Sequence, residues 1–335
     1  MKTGPISALL AAAAIVGVAL VPGAGARRAQ SAAVAACTPI SNIEAIIDDS
    51  GSMAITDTNR LRVSALDLLI QTPGNENTTL GALEFGGSFF SGPPAADTLF
   101  PPEAIGPNAA SMQALLNEKI HADNGTTDYN AAFAKAKADN PGAKAWIFLT
   151  DGGHDVGEYQ NGHRGGPPTY VVGFSSAISG ADGQRLQQIA TETGGKYFPQ
   201  TDSSNLQAVV NEIDAILTCQ TAPATFKDAF TKVGQSKRHA LALGPKTHTA
   251  QLALTWGSPL DAFTITGMKV VNHGRTVAQG ARVKRLKVTR RPGATFLVVK
   301  LSGLVRGKLQ FGVRATKLGS GAAKVSLTTQ VTQSH

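Results

Sequence analysis

Three short stretches carry oxygen-bearing side chains at spacings that can converge on a hard cation. The first is Asp48-Asp49-Ser50-Gly51-Ser52-Met53. Asp48, Ser50 and Ser52 recur every second residue, so one loop can point their oxygens the same way while Gly51 relieves crowding. The second is Asn124-Gly125-Thr126-Thr127-Asp128, and the third is Leu149-Thr150-Asp151-Gly152. Together they offer two carboxylates and three hydroxyls. That donor set suits Mg²⁺, with Mn²⁺ or Ca²⁺ as alternatives, and it lacks the His/Cys pattern that zinc prefers. One such stretch alone reads equally well as a helix cap or a turn; three in order point to a metal.

Strands and helices must alternate to bring these stretches together. Ile43–Asp48 is a short apolar run ending in acid, Leu80–Phe85 and Thr169–Phe174 read as strands, and Ala145–Thr150 is a buried strand breaking at Asp151-Gly152-Gly153. Helical spacing marks Leu61–Ile70 (with Thr58 as its cap), Ser111–Ile120, Asp128–Ala138, Arg185–Thr193 and Leu206–Leu217. The alternation predicts an α/β fold: a doubly wound, mostly parallel sheet with helices on both faces. Ligands bind such sheets beyond the carboxyl ends of the strands, where the three oxygen-rich stretches fall. The polar loop Gly152–Pro168, with His154, Asp155, Glu158, His163 and Arg164, is expected beside that face.

With Asp48-x-Ser50-x-Ser52, Gly-Thr-Thr127-Asp and Thr150-Asp151-Gly152 in this order, the chain resembles the von Willebrand factor A domains and their metal-ion-dependent adhesion site. Val171-Val172-Gly173-Phe174, Gln188-Ile189-Ala190 and Thr193-Gly194-Gly195-Lys196-Tyr197-Phe198 extend the likeness across residues 38–219. The resemblance implies a Rossmann-like sheet. It also implies that Ser50, Ser52 and Thr127 bind the metal directly and that Asp48 and Asp151 bind it directly or through water. Thr126 can stand in for Thr127; Thr127 is preferred because Ala131 and Ala132 then occupy the family's small helix positions. The chemistry implied is coordination: an Asp or Glu of a protein partner displaces a water from the metal. Domain termini lie close together in this family, so the two cysteines, Cys37 and Cys219, are expected to form a disulfide.

The surroundings fit an exported protein. Residues 1–26 read as a signal peptide, with Lys2, the 14-residue apolar core Ala8–Val21 and the small residues Ala24-Gly25-Ala26. Export would place the cysteines in an oxidising compartment; the rival reading makes Val34-Ala35-Ala36-Cys37 a lipobox, with Cys37 lipidated. The mature chain is expected to carry no transmembrane segment and to be secreted, extracellular or periplasmic and envelope-associated.

Charge divides the chain. Cys37–Cys219 holds 21 acidic and 9 basic residues, whereas residues 220–335 hold 19 basic and 2 acidic. After a hinge at Thr221–Thr225, seven short β-rich runs separated by Gly, Pro and Asn predict an all-β sandwich over 226–333. Within it, Arg282, Lys284, Arg285, Lys287, Arg290 and Arg291 alternate with apolar residues and form a candidate surface for an anionic envelope polymer. The alternative is that the basic part docks on the acidic part. Only Phe296 and Phe311 are aromatic from Thr264 onward, which speaks against specific nucleic-acid binding.

No catalytic Ser/His/Asp set assembles; Ser50 with His154 is the nearest pairing, and the metal reading explains Ser50 better. The expected function is a non-enzymatic binding or adhesion protein. The alternative is an accessory, substrate-targeting subunit of an extracellular enzyme system.

Overall fold

The computed structural model describes residues 39–333, apart from 73, 87–94, 122–124, 174–177, 179, 200–204, 219–223, 246 and 280–285. The signal-peptide and lipobox readings, Cys37, Cys219, Arg282, Lys284 and Arg285 lie outside the described residues. Thr38–His335 forms one compact unit, built from an α/β part and a β part.

In the α/β part, β1 (Asn42–Asp48), β2 (Thr79–Phe85), β4 (Ala145–Thr150), β5 (Thr169–Gly173) and β6 (Lys196–Pro199) run parallel. β3 (Ala96–Ala104) is an antiparallel edge strand, and the order is β3-β2-β1-β4-β5-β6. β4 is apolar up to Thr150, and β1 is apolar except for Asn42, Glu44 and Asp48, because both faces of each are covered. Ile43, Ala45 and Ile47 join Ile147 and Leu149 against α2 (Leu61–Gln71), α3 (Ile105–Lys119) and α6 (Leu206–Leu217). Ile46 and Phe148 face α4 (Tyr129–Asp139) and α5 (Gly180–Thr193) through Tyr129, Phe133, Leu186 and Ile189. The chain closes on itself where the Ile40 amide donates to Leu217 O at 2.8 Å.

Three local expectations are corrected. The first turn of α2 is capped by Asp57, not Thr58: its carboxylate accepts the amides of Leu61 (2.6 Å) and Arg62 (3.0 Å). α3 begins at Ile105, six residues before the apolar run suggested, because Pro107 is tolerated in a first turn. Of the expected hinge at Thr221–Thr225, residues 221–223 lie outside the described residues, and Ala224 and Thr225 already belong to β7 (Ala224–Phe230).

The β part contains nine strands among the described residues, where seven were expected. β11 (Arg275–Ala278), β10 (Asp261–Asn272), β14 (Gly307–Leu318) and β8 (Ser236–Leu243) form one sheet in that order. β12 (Lys287–Pro292), β13 (Phe296–Ser302), β9 (Thr247–Trp256), β15 (Ala323–Gln333) and β7 form another. Inward residues of both sheets, such as Ile265, Val313, Leu252 and Val299, share one apolar cluster.

Part of the second face of β9 and β13 is apolar as well, where α2 covers it: Leu68 packs with Ala253, Phe296 and Val298. Asn59 Nδ2 donates to Gly257 O (3.1 Å), and Arg291 Nη1 to Gln71 O (2.8 Å). The α/β part is therefore seated on the five-stranded sheet.

Glu44 of β1 is fully buried facing α4, with room left by Gly81 on β2. Burial pushes its carboxyl up to about 8; Asp139 adds to this while Asn140 and Lys135 pull the other way. The folded state thus keeps a proton that the unfolded chain releases near 4.5, and stability is lost as pH rises between these values. In urea titrations at stepped pH, Glu44→Gln is expected to flatten the loss of stability between pH 6 and 8 that the unaltered protein shows.

Candidate metal centre

The strand order reverses between β1 and β4, since β2 and β3 extend the sheet one way from β1 and β5 and β6 the other. A crevice forms at such a switch point, beyond the carboxyl ends of the strands. Asp48 ends β1, and Asp151 follows β4 directly.

Asp48 is fully buried. Its Oδ1 accepts the Ser50 amide at 2.9 Å, and its Oδ2 accepts the Thr150 hydroxyl at 2.6 Å. Burial, and after it the charge of Asp151, push the Asp48 carboxyl up to about 6 against those hydrogen bonds. Ser50 Oγ lies 3.1 Å from Ser52 Oγ, and Ser52 Oγ donates to Asp151 Oδ1 at 2.9 Å. Thr56 donates to the other oxygen of Asp151. Asp48, Ser50, Ser52 and Asp151 are thus brought into one contiguous set.

The second loop is tied to the first and third by its backbone. Gly51 N donates to Gly125 O at 3.2 Å. Thr127, buried, donates its amide to Asp155 Oδ1 (2.7 Å) and accepts the Asp155 amide on its carbonyl (3.1 Å). Asp128 then caps α4, accepting the amides of Asn130 (2.9 Å) and Ala131 (3.1 Å). Thr126 is less buried than Thr127.

Several positioning groups carried no signal in the spacing of the motifs. Tyr129 is buried and donates its hydroxyl to Gly152 O at 2.5 Å, holding the turn after Asp151. Gly86, with φ +128°, lies where β2 passes the first loop; a Cβ there would overlap the backbone of Ser50. Arg62, 1% exposed, bridges Asp49 and Asp57. Asp49 also accepts the His121 amide at 2.9 Å. This buried bridge fixes the residue between Asp48 and Ser50 to the start of α2.

The residues present fit a hard divalent ion. Ligand oxygens about 2.1 Å from an octahedral Mg²⁺ stand about 3 Å from their neighbours. The separations along Ser50, Ser52 and Asp151, 3.1 and 2.9 Å, match that edge length. No group of three or more His, Cys, Asp or Glu suited to metal occurs among the described residues; the set here is two carboxylates and hydroxyls. His154 Nδ1 accepts the Tyr129 amide at 3.1 Å, so that nitrogen is engaged by backbone rather than by Ser50.

Of the basic candidates, Lys287 and Arg290 are exposed on β12. Arg291 turns to the α/β part, where its Nη2 also lies 3.7 Å from Glu76. No described helix is long and apolar enough to cross a membrane.

Residues 42–212 match the family described as von Willebrand factor type A domain. No curated protein matches the chain. A solved von Willebrand factor type A protein from Catenulispora acidiphila is similar over 89% of this chain and 59% of its own, at 17% identity and a TM-score of 0.41. The pilus adhesin SpaC from Lactobacillus rhamnosus GG matches over 88% of this chain and 44% of its own, at 14% identity and a TM-score of 0.43. The manganese-loaded TRAP protein of Plasmodium vivax matches over 54% of this chain and 75% of its own, at 18% identity and a TM-score of 0.40. The chain spans about three-fifths of the first of these and less than half of the second.

Arg62→Met would leave Asp49 and Asp57 buried without their cation. A loss of about 3–5 kcal/mol is expected, as for other buried pairs stripped of one partner, read from the urea unfolding midpoint.

Proposed function

The chain belongs to the von Willebrand factor type A domain family, and from that premise we propose that it is a cation-dependent binding protein. The observation that carries this reading is the contiguous set at the switch point, in which the oxygens of Ser50, Ser52 and Asp151 stand 3.1 and 2.9 Å apart and Asp48 accepts the Ser50 amide. Ser50 and Ser52, joined by Thr127 from the second loop, would supply neutral oxygens, and Asp48 and Asp151 negative charge. A bound Mg²⁺ or Mn²⁺ supplies an electrophilic centre that is only partly neutralised. Ser52 and Thr56 hold Asp151 in place, and Thr150 and the Ser50 amide hold Asp48. A carboxylate from an Asp or Glu of a protein partner would add a charge-assisted contact at this face.

The chemistry proposed is binding and not turnover, which the engagement of His154 by backbone supports. Export to the envelope or beyond is part of the proposal, as is a Cys37–Cys219 disulfide. The Ile40–Leu217 backbone bond supports the latter, since Ile40 lies three residues after Cys37 and Leu217 two before Cys219 in sequence. The β part, with one apolar cluster between two sheets, is read as a sandwich that positions the metal face.

The test uses the full chain with Mg²⁺ and with EDTA. Ligand present at a hundred times its Kd stabilises a protein by about 2.7 kcal/mol, so Mg²⁺ should raise the melting temperature. A chain carrying Asp48→Asn and Asp151→Asn should show no such rise and should lose Mg²⁺-dependent retention on immobilised Asp- and Glu-bearing peptides. Retention unchanged by EDTA would falsify the proposal.

A further inference from the structure

The two sheets of the β part differ in what covers their outer faces. The five-stranded sheet meets the α/β part, where Ala253, Phe296 and Val298 pack against Leu68. β8, β10 and β14 alternate instead: Leu241, Ile265, Leu309, Phe311 and Val313 point into the shared cluster, and their neighbours are polar or small. A sheet that alternates in this way has one face open to water.

That open face is basic and concave. The strand register places Arg238 of β8, Gly312 of β14 and Thr266 of β10 in one row, and Ala240, Gln310 and Lys269 in the next. Arg314 sits one row further along β14, opposite Ser236. With only hydrogen or methyl on Gly312 and Ala240, the middle of the face sinks between its longer neighbours, giving a groove of about 680 Å³.

Lys269 belongs to this face because the chain was bent to put it there. The register of β10 against β14 slips between Thr266 and Lys269, at Gly267, whose φ is +64°. Strict alternation from Thr264 and Thr266 would have put residue 268 outside. The extra residue sends Met268 against the apolar cluster and turns Lys269 outward. Bulges commonly re-aim side chains in this way next to functional surfaces.

Among the described residues, no carboxylate forms an ion pair with Arg238, Lys269 or Arg314. The two carboxylates of the β part are already held: Asp228 by His239 at 2.7 Å, and Asp261 by the Ser320 amide at 3.0 Å and hydroxyl. Arg238 and Lys269 line the groove with Ser236, His239, Thr266 and Gln310, and Arg314 stands one row beyond it, opposite Ser236. The Ser236 and Thr266 hydroxyls and the Gln310 amide both donate and accept, as the hydroxyls of a sugar chain require, and the cations match carboxylate or sulfate substituents. The face offers no exposed aromatic ring for stacking bases, Phe311 being 3% exposed and turned inward.

We propose that the open face of the β8–β14–β10 sheet is a binding groove for an anionic polysaccharide, with Arg238, Lys269 and Arg314 pairing its acidic substituents. This deepens the positioning role given to the β part and does not depend on the metal centre. It also differs from the β12 stretch expected from sequence, of which Arg291 is committed to the α/β part.

The test is affinity electrophoresis of the full chain in EDTA at low salt, through gels holding polygalacturonate, dextran sulfate or unmodified dextran. Retardation is expected by the first two and not by dextran. Arg238→Gln with Lys269→Gln and Arg314→Gln should weaken it at least tenfold. Lys227→Gln with Lys287→Gln and Lys324→Gln, an equal charge change at exposed positions of the five-stranded sheet, should weaken it less than twofold. Arg238→Gln alone, at an exposed position, serves should the triple variant not fold, and is expected to weaken binding severalfold.

Equal losses in both triple variants would overturn the groove, as would no loss in the first or equal retention by dextran. Tighter binding of an oligothymidylate through the same three residues would overturn the polysaccharide assignment. The chain with Asp48→Asn and Asp151→Asn should be retarded as strongly as the unaltered protein. Loss there would move the polymer to the metal face, while retention there with failed peptide capture would fault only the metal reading.

Discussion

Two carboxylates held close together at the end of a sheet are the constraint on which the rest of the molecule turns. Asp48 has no exposure to water, and Asp151 bears on it strongly enough to raise its affinity for a proton. Such a pair is costly by itself. The fold keeps it by supplying hydroxyl and amide donors from Ser50, Thr150, Ser52 and Thr56 and by placing it where the strand order reverses. A divalent ion answers the same electrostatic demand more fully than hydrogen bonds can, which is why the arrangement reads as a metal centre and not as an ornate cap.

The supports of that centre reach into the second half of the chain. Arg62 anchors the Asp48–Ser52 loop to the first turn of α2 through Asp49 and Asp57. The same helix presents Leu68 to Ala253, Phe296 and Val298, and its last residue, Gln71, accepts a hydrogen bond from Arg291. One helix therefore touches both the metal loop and the five-stranded sheet. Internal docking takes up Arg291 and the Ala253, Phe296 and Val298 patch of that sheet, while the cations of the opposite sheet remain directed to solvent.

The first and third candidate loops stood out in sequence because each combines a strand end with residues that strands avoid: acid, serine and glycine directly after an apolar run. β1 and β4 could be read from composition for the same reason that they are buried on both faces. The edge strand β3 could not. Ala96–Ala104 holds Asp97, Pro101, Pro102 and Glu103, which only an edge tolerates, so it lacks both an apolar run and clean alternation. Arg62 reads as an ordinary surface residue of a helix; its burial follows from Asp49 and Asp57 converging on it, a contact between separate elements. The β12 cations drew attention by clustering in sequence, whereas Arg238, Lys269 and Arg314 come from three strands and become neighbours only through register and a bulge.

The central claim is that Ser50, Ser52 and Asp151 surround a cation. Crystals grown with Mn²⁺ and measured at the manganese absorption edge test it directly. The account predicts one strong anomalous peak within about 2.3 Å of oxygens from Ser50, Ser52 and at least one of Thr127, Asp48 and Asp151. A protein saturated with Mn²⁺ that shows its peak elsewhere, or none at this loop, would contradict it.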